Sequence, residues 1–235
     1  MKKTIILVDG QNLFYTLQEM GVKEKDVNWT NLFNDLIDQG DEFIRAYWFR
    51  PERLKGLINK PQVEKLLVRQ KFPELYEAYK TEGVNNLSEK AKEQVANDCE
   101  KINDWIEKQQ KKFESQEYAY DQLCLTHNNI EIVKAGITRV NAMKMDYLGE
   151  KGVDIALAVK MMALSIGGKC DKIILISGDY DYVPAIRFVK DNLTKLNVVR
   201  FTSGLKSKNM SSGLPIIADK TIDINEADLK GKYRQ

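Results

Sequence analysis

Short runs of apolar, β-branched residues alternate with amphipathic stretches along most of the chain. The first run, Thr4 to Val8, ends at Asp9-Gly10, which is typical of a fully buried strand followed by a turn. We predict further strands over residues 43–49, 130–133, 172–177 and 197–201, and helices over 12–20, 31–38, 153–165 and 182–193. This order predicts an α/β fold with a mainly parallel sheet covered on both faces, and in such sheets ligands collect at the carboxyl ends of the strands.

Residues 51–120 interrupt this alternation with a long, charged and periodic stretch that has no strand signal. We predict helices over 61–80 and 88–115, separated by a break at 83–86. One interpretation is a solvated helical hairpin whose apolar stripe docks on the main domain. The alternative is an arm that clamps a substrate or forms a homo-oligomer.

The amino-acid composition says less about the function than the pattern of apolar and polar residues does. The chain has 235 residues with 36 Lys and Arg against 34 Asp and Glu, so its net charge of +2 gives no global argument for a polyanionic partner. Its three cysteines lack metal-ligand spacing and fit a reducing compartment. No stretch approaches the length of a signal peptide or a membrane span, so we expect a cytoplasmic protein without a membrane partner.

Acidic residues follow two of the predicted strands. Asp9 follows the first strand, and Asp179 and Asp181 follow the strand over 172–177, so all three are expected at one edge of the sheet. Asp154 opens the helix that precedes this later strand. Like charges that cluster in this way raise one another's pKa and are tolerated mainly when a cation neutralises them.

These candidate ligands are all oxygen donors, which favours Mg²⁺ or Mn²⁺ over zinc. Such ions suit phosphodiester hydrolysis, where a metal activates water and stabilises the charge of the transition state. For a single Asp next to a helix the competing interpretation is a helix cap, and it applies most directly to Asp154 and Asp181. Asn12 and Ser177 are expected either to orient phosphate or water, or to close the turns.

Three blocks of the sequence carry a family resemblance: Val8-Asp9-Gly10-Gln11-Asn12-Leu13, Lys151-Gly152-Val153-Asp154-Ile155-Ala156-Leu157-Ala158, and Ser177-Gly178-Asp179-Tyr180-Asp181-Tyr182-Val183-Pro184. In this order and spacing they resemble the NYN domain family, in its LabA-like (DUF88) branch of the PIN-like nuclease superfamily. The resemblance covers about residues 4–50 and 128–226. It implies a Rossmann-like three-layer sandwich, a Mg²⁺ or Mn²⁺ site and nuclease activity, most often on RNA.

Carried over to this chain, the resemblance makes Asp9, Asp154, Asp179 and Asp181 the catalytic and metal-binding residues, with Asn12 as the accompanying polar residue. It also implies a single domain over residues 1–235, with a core of 4–50 and 121–226 and a helical insertion of 51–120. The expected partner is nucleic acid, RNA rather than DNA.

Lys160 departs from the family pattern, because many relatives have a further Asp at this position. Six residues of helix correspond to about 600° of rotation and roughly 9 Å of rise, so position 160 lies neither above Asp154 nor close to it. The lysine would pair with a neighbouring Asp, contact phosphate, or replace a cation and weaken metal binding. The first two leave an enzyme, whereas the third leaves a nucleic-acid-binding or regulatory module.

Basic and aromatic residues supply a candidate surface for a polyanion. Between residues 187 and 208 the basic residues are Arg187, Lys190, Lys195, Arg200, Lys206 and Lys208, against the single acid Asp191. We expect Arg187, together with Lys151 and Lys160, to contact the phosphate backbone, and Tyr180 to stack on unpaired bases. The competing interpretation is an ordinary solvated surface. A haloacid-dehalogenase-like phosphatase is disfavoured, because Asp9-Gly10-Gln11 lacks the usual Asp-x-Asp pair.

Overall fold

The computed structural model describes residues 1–204 and 206–235 and, within them, all side chains except those of Asn86, Lys206, Ser207 and Lys208. The chain forms two compact units. The first contains Met1–Glu52, Tyr118–Gly136 and Gly152–Gln235, and the second contains Arg53–Glu117 and Ile137–Lys151.

Strands and helices alternate through the first unit as its sequence pattern predicts. In chain order the strands are β1 (Lys3–Asp9), β2 (Glu42–Arg50), β3 (Arg53–Lys55), β4 (Ile130–Lys134), β5 (Ile137–Asn141), β6 (Asp146–Lys151), β7 (Lys172–Ile176), β8 (Lys195–Ser203), β9 (Lys206–Lys208) and β10 (Lys220–Asn225). The helices are α1 (Gly10–Glu19), α2 (Trp29–Leu36), α3 (Lys60–Lys71), α4 (Tyr76–Glu82), α5 (Glu89–Thr126), α6 (Val153–Ser165), α7 (Val183–Asp191), α8 (Gly213–Ile217) and α9 (Glu226–Lys230).

The central sheet of the first unit is parallel, as predicted. Six strands run in the order β10-β8-β7-β1-β2-β4, each parallel to its neighbours, and β9 pairs antiparallel with β8. The chain builds outward from β1 through β2 to β4, and later builds outward in the other direction from β7 through β8 to β10. The order therefore reverses between β1 and β7, which is where open α/β sheets form a ligand-binding crevice.

Both faces of β1 are buried, which explains its continuous apolar sequence. Ile6 and Val8 pack into a core with residues of α1 and α2, whereas Ile5 and Leu7 pack into a second core with residues of α6 and α7. Helices therefore cover the sheet on both sides. The predicted α/β fold with a parallel sheet between helical layers is confirmed.

Two of the predicted helices begin at other residues in the structure. The helix predicted over 12–20 begins at Gly10, and Asp9 is its N-cap, because the Asp9 carboxylate accepts a hydrogen bond from the Asn12 N–H. The helix predicted over 182–193 begins as a 3₁₀ turn at Tyr180–Tyr182 and continues as α7. The helix predicted over 153–165 is observed with those bounds.

The second unit has its own hydrophobic core. The apolar stripe of α5, including Val95, Cys99 and Ile102, packs with Val63 and Leu67 of α3. Strands β3, β5 and β6 form a separate three-stranded sheet in this unit, and only β3 lies within residues 51–120, where we predicted no strand. Helix α5 is long but highly charged, and within the described parts of the chain no helix has the length and apolar character needed to cross a membrane.

Replacing Glu24 with Gln is expected to flatten the dependence of stability on pH. Burial raises the pKa of Glu24 from 4.5 to about 7, although the Tyr120 hydroxyl, 3.2 Å from Oε2, and the charge of Arg50 oppose the shift. Between pH 4.5 and 7 the folded state therefore binds more protons than the unfolded state, so this carboxyl lowers stability as the pH rises through that range. The amide of the glutamine variant accepts the same hydrogen bond but cannot ionise.

Urea unfolding at pH 5 and at pH 8 measures this effect. The wild type should lose on the order of 1–3 kcal/mol relative to Glu24→Gln over this interval. Asp26→Asn, at an exposed position of the same 3₁₀ turn, is the control and should follow the wild type. Parallel pH curves for the wild type and Glu24→Gln would contradict the assignment.

Candidate functional site

Asp9 lies at the strand end beside the topological switch point. The register pairs Val8 of β1 with Ile176 of β7, which places Asp9 next to Ser177. The Ser177 hydroxyl donates to Asp9 Oδ2 at 2.8 Å, and the Asn12 N–H donates to Oδ1 at 3.0 Å. Gly10 permits this turn, because a Cβ there would lie 2.5 Å from the Phe49 carbonyl oxygen. The carboxylate of Asp9 is thus buried and held in a fixed orientation.

Tyr182 connects Asp9 to Asp154. Its side chain is 1% exposed, and its hydroxyl oxygen lies 3.3 Å from Asp9 Oδ2 and 3.3 Å from Asp154 Oδ1. Because the phenol has one proton, it donates to one of these carboxylates at a time. Asp154 lies in the first turn of α6, whose N-cap is Gly152, so Asp154 does not cap the helix. The sheet edge therefore brings two predicted site residues onto one hydroxyl group.

The negative charges of Asp9 and Asp154 repel each other. Burial raises the pKa of Asp9, and the charge of Asp154 raises it further, whereas hydrogen bonds from Asn12 and Ser177 lower it. Burial of the carboxyl group also raises the pKa of Asp154, with additional increases from Asp179 and Asp181.

Tyr182 remains a neutral phenol in this environment. Burial raises its pKa, and the charges of Asp9 and Asp154 raise it further. The four acidic residues therefore act on one another electrostatically, and a cation bound among them would relieve the repulsion.

The loop after β7 carries Asp179 and Asp181. The Asp179 N–H donates to Ser177 Oγ at 3.2 Å, and Asp179 Oδ1 accepts from the Asp181 N–H at 3.0 Å. Asp179, rather than Asp181, therefore caps the 3₁₀ turn, and Asp181 is exposed. The Asn12 side chain ties this loop to α1, since its Oδ1 accepts from the Gly178 N–H at 2.9 Å.

The donor set fits Mg²⁺ or Mn²⁺ by its chemistry. It consists of carboxylate and hydroxyl oxygens, and magnesium is commonly held by one or two carboxylates together with waters and substrate phosphate oxygens. Asp9 and Asp154, joined through Tyr182, can supply such a pair. No group of three or more His, Cys, Asp or Glu residues suited to hold a metal ion occurs within residues 1–204 and 206–235 as described.

The side chain of Lys160, on α6, lies beside an aromatic ring of β2. Its Nζ is 4.0 Å from the centre of the Tyr47 ring on β2, and no hydrogen bond or ion pair connects it to the described acidic residues of the site. Cation–π contact therefore accounts for the placement of this ammonium group.

The other predicted substrate-binding residues lie on different elements. Lys151 is exposed at the end of β6 in the second unit, and Arg187 is exposed on α7. Tyr180 is 55% exposed in the loop after β7, where it can contact a ligand.

Part of the predicted basic surface is neutralised by ion pairs. Lys190 Nζ lies 3.0 Å from Asp219 Oδ1, and Arg200 Nε lies 2.6 Å from Asp223 Oδ1 across the β8–β10 pairing. The side chains of Lys206 and Lys208 lie outside the described residues. This surface is therefore less basic than the sequence alone indicates.

Two tyrosines extend the site beyond the predicted residues. The hydroxyl of Tyr182 reaches two carboxylates, although its position at a helix start indicates only packing. Tyr15 lines the same groove as Asn12 and Asp179, and its spacing of three residues from Asn12 on α1 is the signal that sequence reasoning missed.

Comparison with known proteins places the chain in a family. Residues 84–225 match the NYN domain family. No curated protein matches the sequence. Among solved structures, the crystal structure of a protein of unknown function from Vibrio parahaemolyticus RIMD 2210633 is similar, with 15% identity and a TM-score of 0.48 over 100% of this chain and 96% of that one.

The family match includes the blocks around Asp154 and Asp179, whereas β1 with Asp9 precedes it. Asp9 nevertheless lies next to the matched region in the fold, because β1 pairs directly with β7. The match spans more than half of the sequence and confirms the resemblance to the NYN domain family, with the second and third of the three blocks inside the matched residues. The chain therefore belongs to the NYN domain family, within the PIN-like nuclease superfamily.

Proposed function

We propose that the chain is a metal-dependent nuclease that hydrolyses phosphodiester bonds, with RNA as its preferred substrate. The observation that carries the proposal is the pairing of Asp9 and Asp154 through Tyr182 at the switch point of the sheet. Membership of the NYN domain family supports the choice of reaction and of nucleic acid.

Each residue of the site has a separate role in this proposal. Asp9 and Asp154 would hold Mg²⁺ or Mn²⁺, which when bound supplies positive charge that activates water and stabilises the phosphorane-like transition state. Ser177 and Asn12 fix Asp9 and the Gly178 loop by hydrogen bonds. Asp179 and Asp181 would complete the acidic site and orient the attacking water. Arg187, exposed on α7 of the same unit, would contact the phosphate backbone.

A cleavage assay with labelled single-stranded RNA and DNA tests the proposal. We expect cleavage with Mn²⁺ or Mg²⁺, faster on RNA, and none with EDTA. Asp154→Asn should abolish cleavage without lowering the unfolding temperature, because Asp154 is partly exposed and does not cap α6. Cleavage that persists both in EDTA and in Asp154→Asn would refute a metal-dependent mechanism at this site.

A catalytically impaired nucleic-acid-binding module is the second candidate. The observation that favours it is Lys160, which stands where many members of the resembled family have a further Asp. In this alternative Lys160 disturbs the metal site, and the protein binds RNA without cutting it. Lys160→Asp would then create or raise cleavage.

Removing the charge of Lys160 is expected to leave cleavage within about threefold of the wild type. Its ammonium group lies over the Tyr47 ring rather than between the carboxylates, so Lys160→Met should cost only the cation–π contact, about 0.5–2 kcal/mol of stability. Cleavage rates and urea unfolding of Lys160→Met and Lys160→Asp measure both effects. A tenfold gain of cleavage in either variant would instead support the impaired module.

A further inference from the structure

An open groove lies beside the acidic site in the first unit. It encloses about 550 Å³, which is within the usual range for small-ligand sites, and its lining includes Asn12, Tyr15, Glu19, Asp179 and Tyr180. Asn12 and the Gly178-Asp179 segment also belong to the hydrogen-bonded network around Asp9. A chain whose phosphate lay at the acidic site would therefore have its neighbouring nucleotide near this groove.

Two tyrosines in the groove are exposed. Tyr15 is 44% exposed and Tyr180 is 55% exposed, although aromatic rings usually bury most of their surface. Gly213 helps to place Tyr180, because a Cβ at that position would lie 2.3 Å from Tyr180 Cε2. Exposed aromatic rings beside a nucleic-acid site are typical stacking platforms for unpaired bases.

One wall of the groove is a single face of α1. Asn12, Tyr15 and Glu19 are spaced three and then four residues apart, so they lie along the same side of the helix. The opposite wall is held close by Gly178, whose carbonyl accepts from the Ser211 N–H at 2.8 Å. In the amide orientation that satisfies both of its ends, Asn209 donates to Glu19 Oε1 at 3.0 Å and accepts from the Thr16 N–H at 3.2 Å.

The charge of the groove selects a neutral occupant with hydrogen-bond donors. Glu19 and Asp179 would repel a phosphate, whereas each carboxylate oxygen can accept more than one hydrogen bond, so Glu19 can accept from a base as well as from Asn209. Guanine presents two adjacent N–H donors on its pairing edge and so matches a carboxylate best. Uracil presents one N–H between two carbonyl oxygens, which a carboxylate repels.

We propose that this groove binds an unpaired nucleobase next to the scissile phosphate, with Tyr15 and Tyr180 stacking on the base and Glu19 favouring guanine. The inference rests on the proposed function, since it assumes that the acidic site acts on a single-stranded nucleic acid.

Binding to short RNA in EDTA tests the proposal without cleavage. The probes are fluorescently labelled octauridylate and the same oligonucleotide with one central guanosine, titrated by fluorescence anisotropy. We expect tighter binding of the guanosine probe, and weakening of about 5- to 150-fold in Tyr15→Ala or Tyr180→Ala. Tyr15→Phe should bind like the wild type, because stacking needs the ring and not the hydroxyl. Glu19→Gln should lose the preference for guanosine.

Tyr118→Ala is the matched control, because Tyr118 is 67% exposed and does not line the groove. Unchanged affinity in Tyr15→Ala and Tyr180→Ala, in a protein that still cleaves RNA with Mn²⁺, would overturn the subsite and leave the proposed function intact. Equal affinity of the wild type for both probes would overturn the role of Glu19. Weakened binding by the tyrosine variants in a protein that never cleaves would support the subsite and refute the nuclease. A wild type that neither binds nor cleaves would overturn both.

Discussion

Asp9→Asn is expected to lower RNA cleavage by about 100-fold or more while the protein stays folded. The amide keeps the shape of the side chain and one oxygen that can accept from the Asn12 N–H. It removes the buried negative charge that would hold a cation, and it leaves the Ser177 and Tyr182 hydroxyls facing a neutral group. Asparagine also caps helices well, so the unfolding temperature should change little.

Rates of cleavage over a Mn²⁺ titration, together with thermal unfolding, measure this prediction. Asp191→Asn is the matched control, since it makes the same substitution at an exposed position of the first unit and should cleave like the wild type. If Asp9→Asn cut RNA within threefold of the wild type at all metal concentrations, Asp9 would be only the cap of α1.

Gly178→Ala is expected to destabilise the protein by about 1–3 kcal/mol, or more, and to abolish cleavage. A Cβ at this position would lie 1.5 Å from the Asn209 carbonyl oxygen and 2.6 Å from Met210 Cα. Both contacts are with backbone, so a rotamer change cannot relieve them. The loop would have to move, which would break the hydrogen bonds of Gly178 with Asn12 and Ser211.

Urea unfolding measures the loss of stability, and Gly40→Ala provides the comparison. Gly40 has φ +86°, and a Cβ at this position would have no other atom within 4 Å, so alanine there costs only the backbone strain, about 1–2 kcal/mol. Cleavage should survive in Gly40→Ala and be lost in Gly178→Ala. A Gly178→Ala variant with wild-type stability and activity would contradict the prediction, because it would show that the loop after β7 can move to accommodate the Cβ at little cost.

The central sheet was predictable because burial on both faces leaves a strong pattern. Ile5, Ile6, Leu7 and Val8 form an unbroken apolar run, and the structure buries all four. Parallel strands also predict which ends meet, so the proximity of Asp9 to the loop after β7 followed from the element order alone. The register then places Asp9 beside Ser177, as the predicted shared edge requires.

The second sheet, the cap of α1 and the contacts of Tyr182 could not be predicted from the pattern of apolar and polar residues. The burial of β5 alternates, but its two buried residues are Thr138 and Val140, so its sequence shows no apolar alternation, and β6 has no buried residue. The choice of Asp9 over Asn12 as a cap depends on the local backbone geometry, because both residue types cap helices well. The contact of Tyr182 with two carboxylates joins segments 28 and 173 residues apart, and nothing in the local sequence of Tyr182 specifies it.

The position of β7 beside β1 also affects how the protein is made. A chain is synthesised from its N-terminus onward, and a domain generally folds as a unit. Ser177 and Tyr182, which hold the carboxylate of Asp9, leave the ribosome more than 160 residues after it. No nascent chain shorter than this can assemble the acidic site. Under the proposed function, a chain that ends before Tyr182 would therefore not cleave RNA.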